Sequence, residues 1–82
     1  MPTEAEIYAV LTEIFHDVFQ RPVALRPTLT ANDVPGWDSF KQIEIIMAAE
    51  ERFALRMTTR ELDSLQSVGD LVRVIAAKLP VG

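Results

Sequence analysis

Gly36-Trp37-Asp38-Ser39-Phe40-Lys41-Gln42-Ile43-Glu44-Ile45-Ile46-Met47-Ala48-Ala49-Glu50-Glu51-Arg52-Phe53 is the stretch that decides the fold. Within three residues it passes from loop chemistry to a helix. Asp38 suits an N-cap, where a carboxylate accepts from a free backbone N–H of the first turn. Phe40, Ile43, Ile46, Met47 and Phe53 then fall at spacings of three and four, the period of one helix face, with Glu50 at the edge of the stripe. Ile45, Ala48 and Ala49 widen that apolar face. Lys41, Gln42, Glu44, Glu51 and Arg52 are left for solvent or a partner. The pattern predicts an amphipathic helix from Asp38 or Ser39 to Phe53.

Upstream, Pro22, Pro27, Pro35 and Gly36 forbid a continuous helix between Gln20 and Trp37. Val23, Leu25 and Leu29 pin this long loop to the core. Before it, Ile7, Val10, Leu11, Ile14, Phe15, Val18 and Phe19 repeat at helical spacing, and Thr3 with Glu6 forms a capping-box pattern. Pro22 ends that helix, because the residue before a proline is pushed out of the helical region. Downstream, Thr58 and Glu61 predict a short helix over about Thr59 to Asp63, with Leu62 inward. Ser67 and Asp70 open a last helix with the stripe Val68, Leu71, Val72, Ile75, Leu79, stopped by Pro80. Met1-Pro2 and Val81-Gly82 read as ragged ends. No alternation asks for a strand. The fold class is all-α: a small four-helix bundle with three main helices, one short third helix and a long first loop, forming a single domain over residues 1–82.

Composition narrows the function. The chain has 82 residues, 49% hydrophobic, with no cysteine, one histidine and a net charge of −4. A domain this small buries only about 60% of its unfolded surface, so it needs an efficient core. Cysteine chemistry is excluded. His16 alone makes neither a metal site nor a Ser-His pair, and reads as a solvated or half-buried histidine beside the apolar stripe. An acidic balance argues against nucleic acid. No apolar run reaches about 18 residues, so no membrane span is expected. The acids near the N-terminus do not suit a signal peptide, which points to a cytoplasmic protein.

Ser39 is the residue with chemical promise. At the first helical position its hydroxyl is exposed, the N–H groups of the first turn favour an attached phosphate, and Gly36 leaves room for an approaching enzyme. It lacks a base, so it is a poor self-activated nucleophile. It suits a group installed by another enzyme. With no base, metal site or pocket constellation in view, the chain reads as no enzyme.

In these residues the chain resembles the acyl carrier proteins over nearly its whole length. The family pattern is Asp-Ser-Leu, then a helix bearing an apolar residue, a glutamate and further apolar residues, ending in acids and Phe. Asp38-Ser39-Phe40 through Phe53 follows it, and Leu65-Gln66-Ser67-Val68-Gly69-Asp70-Leu71-Val72 resembles the opening of the family's last helix. The resemblance implies that Ser39 carries phosphopantetheine, with Asp38 flanking it for recognition by the transferase. It implies a phosphopantetheinyl transferase that draws on coenzyme A and needs magnesium, and an arm whose thiol holds acyl groups as thioesters. Loading, condensing or acyltransferase enzymes then work on a monomeric carrier that catalyses nothing itself. Tethering raises the effective concentration of the cargo, and an apolar chain sheltered among the helices would gain about 0.8 kcal/mol per buried methylene.

Asp63-Ser64-Leu65 matches the family triplet to the letter, but no long amphipathic helix starts there, so Ser64 reads as the turn before the last helix. The resemblance places Ile43, Glu44 and Met47 on a recognition helix, and Trp37, Phe40, Lys41, Glu44, Ile45 and Glu51 are the candidate partner surface, packing of the loop against the core being the other reading of Trp37 and Phe40. Phe40 departs from the family's leucine, and Lys41 stands where fatty-acid carriers have an acid. Residues 1–38 hold six acids and two bases and so carry the whole −4, whereas residues 39–82 hold six of each. Arg52, Arg56 and Arg60 read as a solvated basic face or a dedicated partner contact. The even balance after Ser39 predicts a specialised carrier with unusual partners, since charge steers association. Trp37 before Asp-Ser also keeps open an aminoacyl or polyketide carrier with the same arm. An unmodified helical protein-interaction module is the further alternative.

Overall fold

The computed structural model describes residues 3–79. Four helices follow in order: α1 (Glu4–Phe19), α2 (Ser39–Phe53), α3 (Thr59–Asp63) and α4 (Val68–Lys78). No strand occurs among the described residues. The expected stop at Pro80 and the ends at Met1-Pro2 and Val81-Gly82 lie outside them.

Capping side chains fix where the helices begin. The Glu6 N–H donates to Thr3 Oγ1 at 3.2 Å, the Glu61 N–H to Thr58 Oγ1 at 3.2 Å, and the Asp70 N–H to Ser67 Oγ at 3.3 Å. Each satisfies a backbone donor that has no partner within its own helix. The ends are less regular. α1 closes at Gln20, which takes a left-handed conformation at φ 58° while its side chain donates to the Asp17 carbonyl at 2.6 Å. The helix is therefore already terminated before Pro22. α2 closes the same way at Ala54, φ 54°.

α2 and α4 both pack on α1. Ile7, Leu11, Ile14 and Phe15 of α1 meet Ile45, Ile46 and Ala49 of α2 and Val68, Leu71, Val72 and Ile75 of α4 in one buried cluster. Leu29 and Val34 enter that cluster from the long loop, with Val23 and Leu25 packed against it. The loop holds a 3-10 turn at Ala31–Asp33, in which the Thr30 N–H donates to Asp33 Oδ2 at 3.0 Å. It docks on the start of α4: the Val68 N–H donates to the Leu29 carbonyl at 2.9 Å and the Gly69 N–H to the Pro27 carbonyl at 3.0 Å. That approach needs glycine, because a Cβ at position 69 would lie 2.8 Å from the Pro27 oxygen.

The predicted α2 stripe needs correction. Phe40, Ile43 and Met47 are 77%, 56% and 63% exposed, and the face turned to α1 is the one carrying Ile45, Ile46 and Ala49. The sequence offered apolar residues on more than half of the helix circumference. α1 covers only one side of α2, so the surplus faces outward.

Candidate functional site

Ser39 is the first residue of α2, and three local devices hold it there. Pro35 and Gly36 make a type II turn, with Gly36 at φ 87° and the Trp37 N–H donating to the Val34 carbonyl at 3.2 Å. Asp38 caps the helix: its Oδ1 accepts from the Lys41 N–H at 3.0 Å and its carbonyl from the Gln42 N–H at 2.9 Å. The Trp37 indole packs edge-on against Phe15, with centroids 5.2 Å apart, and lies 6.1 Å from Phe19. Its Nε1–H donates to Gln42 Oε1 at 2.8 Å.

Ser39 is exposed, and its hydroxyl has no hydrogen-bond partner among the described residues. The other two serines are engaged. Ser64 Oγ donates to the Glu61 carbonyl at 2.7 Å, and Ser67 Oγ caps α4. Space is open on the loop side, since nothing lies within 4 Å of a Cβ built on Gly36.

A cleft of about 660 Å³ opens beside Ser39 between α2, α3 and α4. Ile43, Ile46 and Met47 form its α2 wall; Leu62, Leu65, Val68 and Leu71 form the opposite side. Ser39 and Glu50 both line it, which gives it a run of about 16 Å along α2 at 1.5 Å per residue. Glu50 Oε2 accepts the Met57 N–H at 2.9 Å, tying the end of α2 to the segment before α3. The resemblance implied shelter for an apolar chain among the helices, but the sequence did not say between which of them it would lie. The signal for this cleft was the surplus width of the α2 apolar face, with Ile43 and Met47 beyond what one packing partner can cover.

The expected partner residues divide. Phe40, Glu44 and Glu51 are exposed on α2. Ile45 is not available, because it is 0% exposed in the α1–α2 contact. Trp37 is half-buried in the aromatic cluster. Lys41 and Gln42, expected to face solvent or a partner, are half-buried as well. Lys41 Nζ donates to the Val18 carbonyl at 3.2 Å and sits 3.9 Å from Glu44. It thereby satisfies a carbonyl in the last turn of α1, the end of a helix that favours a cation. Arg52 is drawn to Glu13 of α1 at 2.7 Å, whereas Arg56 and Arg60 are exposed and have no carboxylate partner among the described residues. His16 is exposed.

Two carboxyl groups are held below the usual range for their type. The Thr30 backbone N–H does this for Asp33, with the Arg26 guanidinium adding a smaller effect. For Glu61 the Thr58 backbone N–H is the main cause, followed by the Lys78 ammonium at 2.9 Å. Both are structural loop and cap sites away from Ser39. Among the described residues no helix is long and apolar enough to cross a membrane.

The family model described as a phosphopantetheine attachment site matches residues 9–75. An acyl carrier protein of Acidothermus cellulolyticus is 35% identical over 75 residues, spanning 90% of this chain and 89% of its own. The meromycolate extension acyl carrier protein of Mycolicibacterium smegmatis is 31% identical over 74 residues, spanning 89% and 75%. Among solved structures, the holo acyl carrier protein of Geobacter metallireducens superposes with a TM-score of 0.82 at 34% identity, covering 95% of this chain and 86% of that one.

Proposed function

The chain belongs to the acyl carrier protein family, and from that premise we propose that Ser39 is its phosphopantetheine attachment residue and that it holds acyl groups in fatty-acid, lipid or related biosynthesis. As a member of that family it is a carrier with covalently attached phosphopantetheine, not a catalyst, and works with a transferase and with acyl-handling enzymes. Residues 1–82 serve as one carrier domain in this reading.

The observation that carries the assignment is the free hydroxyl. Among the described residues Ser39 alone of the three serines has no hydrogen bond to give up, and it stands at the start of a long helix and borders the cleft. The residues around it fit the group. The Ser39 and Phe40 N–H groups have no acceptor among the described residues, so they can meet phosphate oxygens at the positive end of α2. Asp38 keeps that turn formed through its cap. When bound, the arm supplies a thiol on which an acyl group is held as a thioester. The chain's own contribution is to present that point of attachment on an exposed helix start, beside an apolar cleft. Ile43, Met47 and Leu62 give the cleft walls suited to an aliphatic group, at about 0.8 kcal/mol per methylene taken from water. This favours an acyl over an aminoacyl cargo.

Intact mass after treatment with a phosphopantetheinyl transferase and coenzyme A tests the assignment. The natural protein and Ser64→Ala gain the arm, and Ser39→Ala does not. A gain on Ser39→Ala defeats it. Failure of the natural protein to gain mass with any transferase favours the unmodified interaction module. The mass of the protein taken from its own cell separates fatty from aminoacyl or polyketide cargo.

For partners, the exposed stripe Phe40, Ile43 and Met47 with Glu44 and Glu51 beside it is the docking face, and Arg56 and Arg60, which have no carboxylate partner among the described residues, support dedicated partner enzymes. Turnover by a general fatty-acid ketosynthase system equal to that of a standard carrier rules out such specialisation.

A further inference from the structure

Trp37 stands two residues before Ser39 but belongs physically to α1. Its ring is held edge-on by Phe15, with interplanar angle 85°, and by Phe19, at 66°. Its one polar atom reaches forward into α2, where the Nε1–H donates to Gln42 Oε1 at 2.8 Å. Gln42 is also the residue whose backbone N–H makes the first bond of α2, to the Asp38 carbonyl at 2.9 Å. The chain from the α1 aromatics through the indole to Gln42 thus spans the two residues, Asp38 and Ser39, that open the helix. Two neighbouring ties run in the same direction: Lys41 Nζ to the Val18 carbonyl at 3.2 Å, and the Arg21 guanidinium to the Pro35 carbonyl at 2.7 Å. The long loop by itself would deliver Ser39 loosely. The aromatic cluster refers its position to α1, the helix on which both α2 and α4 pack.

We propose that Trp37, acting through Gln42, is a positioning residue that fixes the seat of Ser39 for the transferase. This rests on the reading of Ser39 as the attachment residue. The physical basis is that transfer between two bound groups depends steeply on their placement, an error of about 1 Å costing up to 10²-fold. A half-buried indole also loses less freedom on ordering than a long polar side chain would, so it makes an economical strut. The hydrogen bond supplies direction, because an edge-on ring without it can slide along the faces of Phe15 and Phe19.

The experiment uses the natural protein, Trp37→Phe, Gln42→Met, the double variant, and Gln42→Glu, which keeps an acceptor oxygen. Modification kinetics with a phosphopantetheinyl transferase and coenzyme A are read together with amide hydrogen exchange of the unmodified proteins. Trp37→Phe and Gln42→Met are expected to lower kcat about tenfold with KM little changed. The double variant is expected to be no worse than either single one, and Gln42→Glu to recover most of the rate. Exchange of the Gln42 amide quickens about tenfold in Trp37→Phe while that of Leu11 and Ile75 holds, which marks local loosening rather than global loss of fold. A loss lying wholly in KM overturns the inference, since it makes Trp37 or Gln42 a direct contact of the transferase. An unchanged kcat with unchanged exchange overturns it too. A natural protein that gains no arm overturns the attachment reading and, with it, the strut.

Discussion

Gly69→Ala sets two physical effects against each other with opposite signs. Position 69 is the second residue of α4, where helix propensity alone favours alanine by up to about 1 kcal/mol. Its backbone does not stand alone, however, because the Pro27 carbonyl lies 3.0 Å from the Gly69 nitrogen and would lie 2.8 Å from an added Cβ. That obstacle is main chain, held by a proline, and cannot rotate away. Either the contact stays compressed, at about 1–3 kcal/mol, or the loop lifts. Lifting forfeits the bonds Gly69 N–H to Pro27 and Val68 N–H to Leu29, together also about 1–3 kcal/mol. The chain takes the cheaper course, so the net expectation is a loss of about 1–2 kcal/mol. Urea unfolding reads this as a midpoint lowered by roughly 1–2 M for a domain of this size. Amide exchange at residues 68 and 69 tells lifting from compression. A midpoint unchanged or raised at constant slope would refute the reasoning and leave propensity as the controlling term.

Further outcomes follow from the caps and charges. Asp38→Ala removes the acceptor for the Lys41 N–H and costs about 1 kcal/mol in urea unfolding, whereas Asp38→Asn keeps the cap and its stability. If Asp38→Asn nevertheless slows modification of Ser39, the transferase reads its charge; equal stability loss in both variants would contradict the cap. Ala54→Gly relieves a left-handed alanine and raises stability by about 0.5–1 kcal/mol after the entropy of glycine in the unfolded chain is subtracted, a gain visible in thermal melts. A lower melting temperature would show that Ala54 is not strained. Glu61 is held below its ordinary value by the Thr58 N–H and Lys78. Its contribution is therefore complete above the usual glutamate range and is lost as pH falls through the depressed folded value. Glu61→Gln should flatten the acid limb of stability against pH, and an unaltered limb would count against that linkage.

Much of the fold is legible in the sequence because its causes are local. Thr3 with Glu6, Thr58 with Glu61 and Ser67 with Asp70 mark three helix starts by side chains that reach only three residues. Asp38 does the same for α2, and the last helix buries the stripe the period names. Helix ends were less legible: Gln20 and Ala54 stop their helices in the left-handed region, a conformation that composition does not announce for those residue types.

Ser39 could be picked from its place at a helix start, whereas its surroundings could not. Charge arithmetic gave residues 39–82 an even balance, yet Lys41 and Arg52 spend their charge on α1, at the Val18 carbonyl and on Glu13. Gln42 looked like a surface residue, and Trp37 could be read as partner surface or as loop packed on the core, until the fold set Phe15 and Phe19 against the indole. The sequence by itself determined the helices, the long loop and the exposed serine, since period, caps and prolines act over a few residues. Only the tertiary structure decided which side of α2 is buried. Ile45 went inward and Phe40, Ile43 and Met47 outward, because α1 covers one side of a helix that is apolar on more than one. The outward surplus is what makes a cleft beside Ser39.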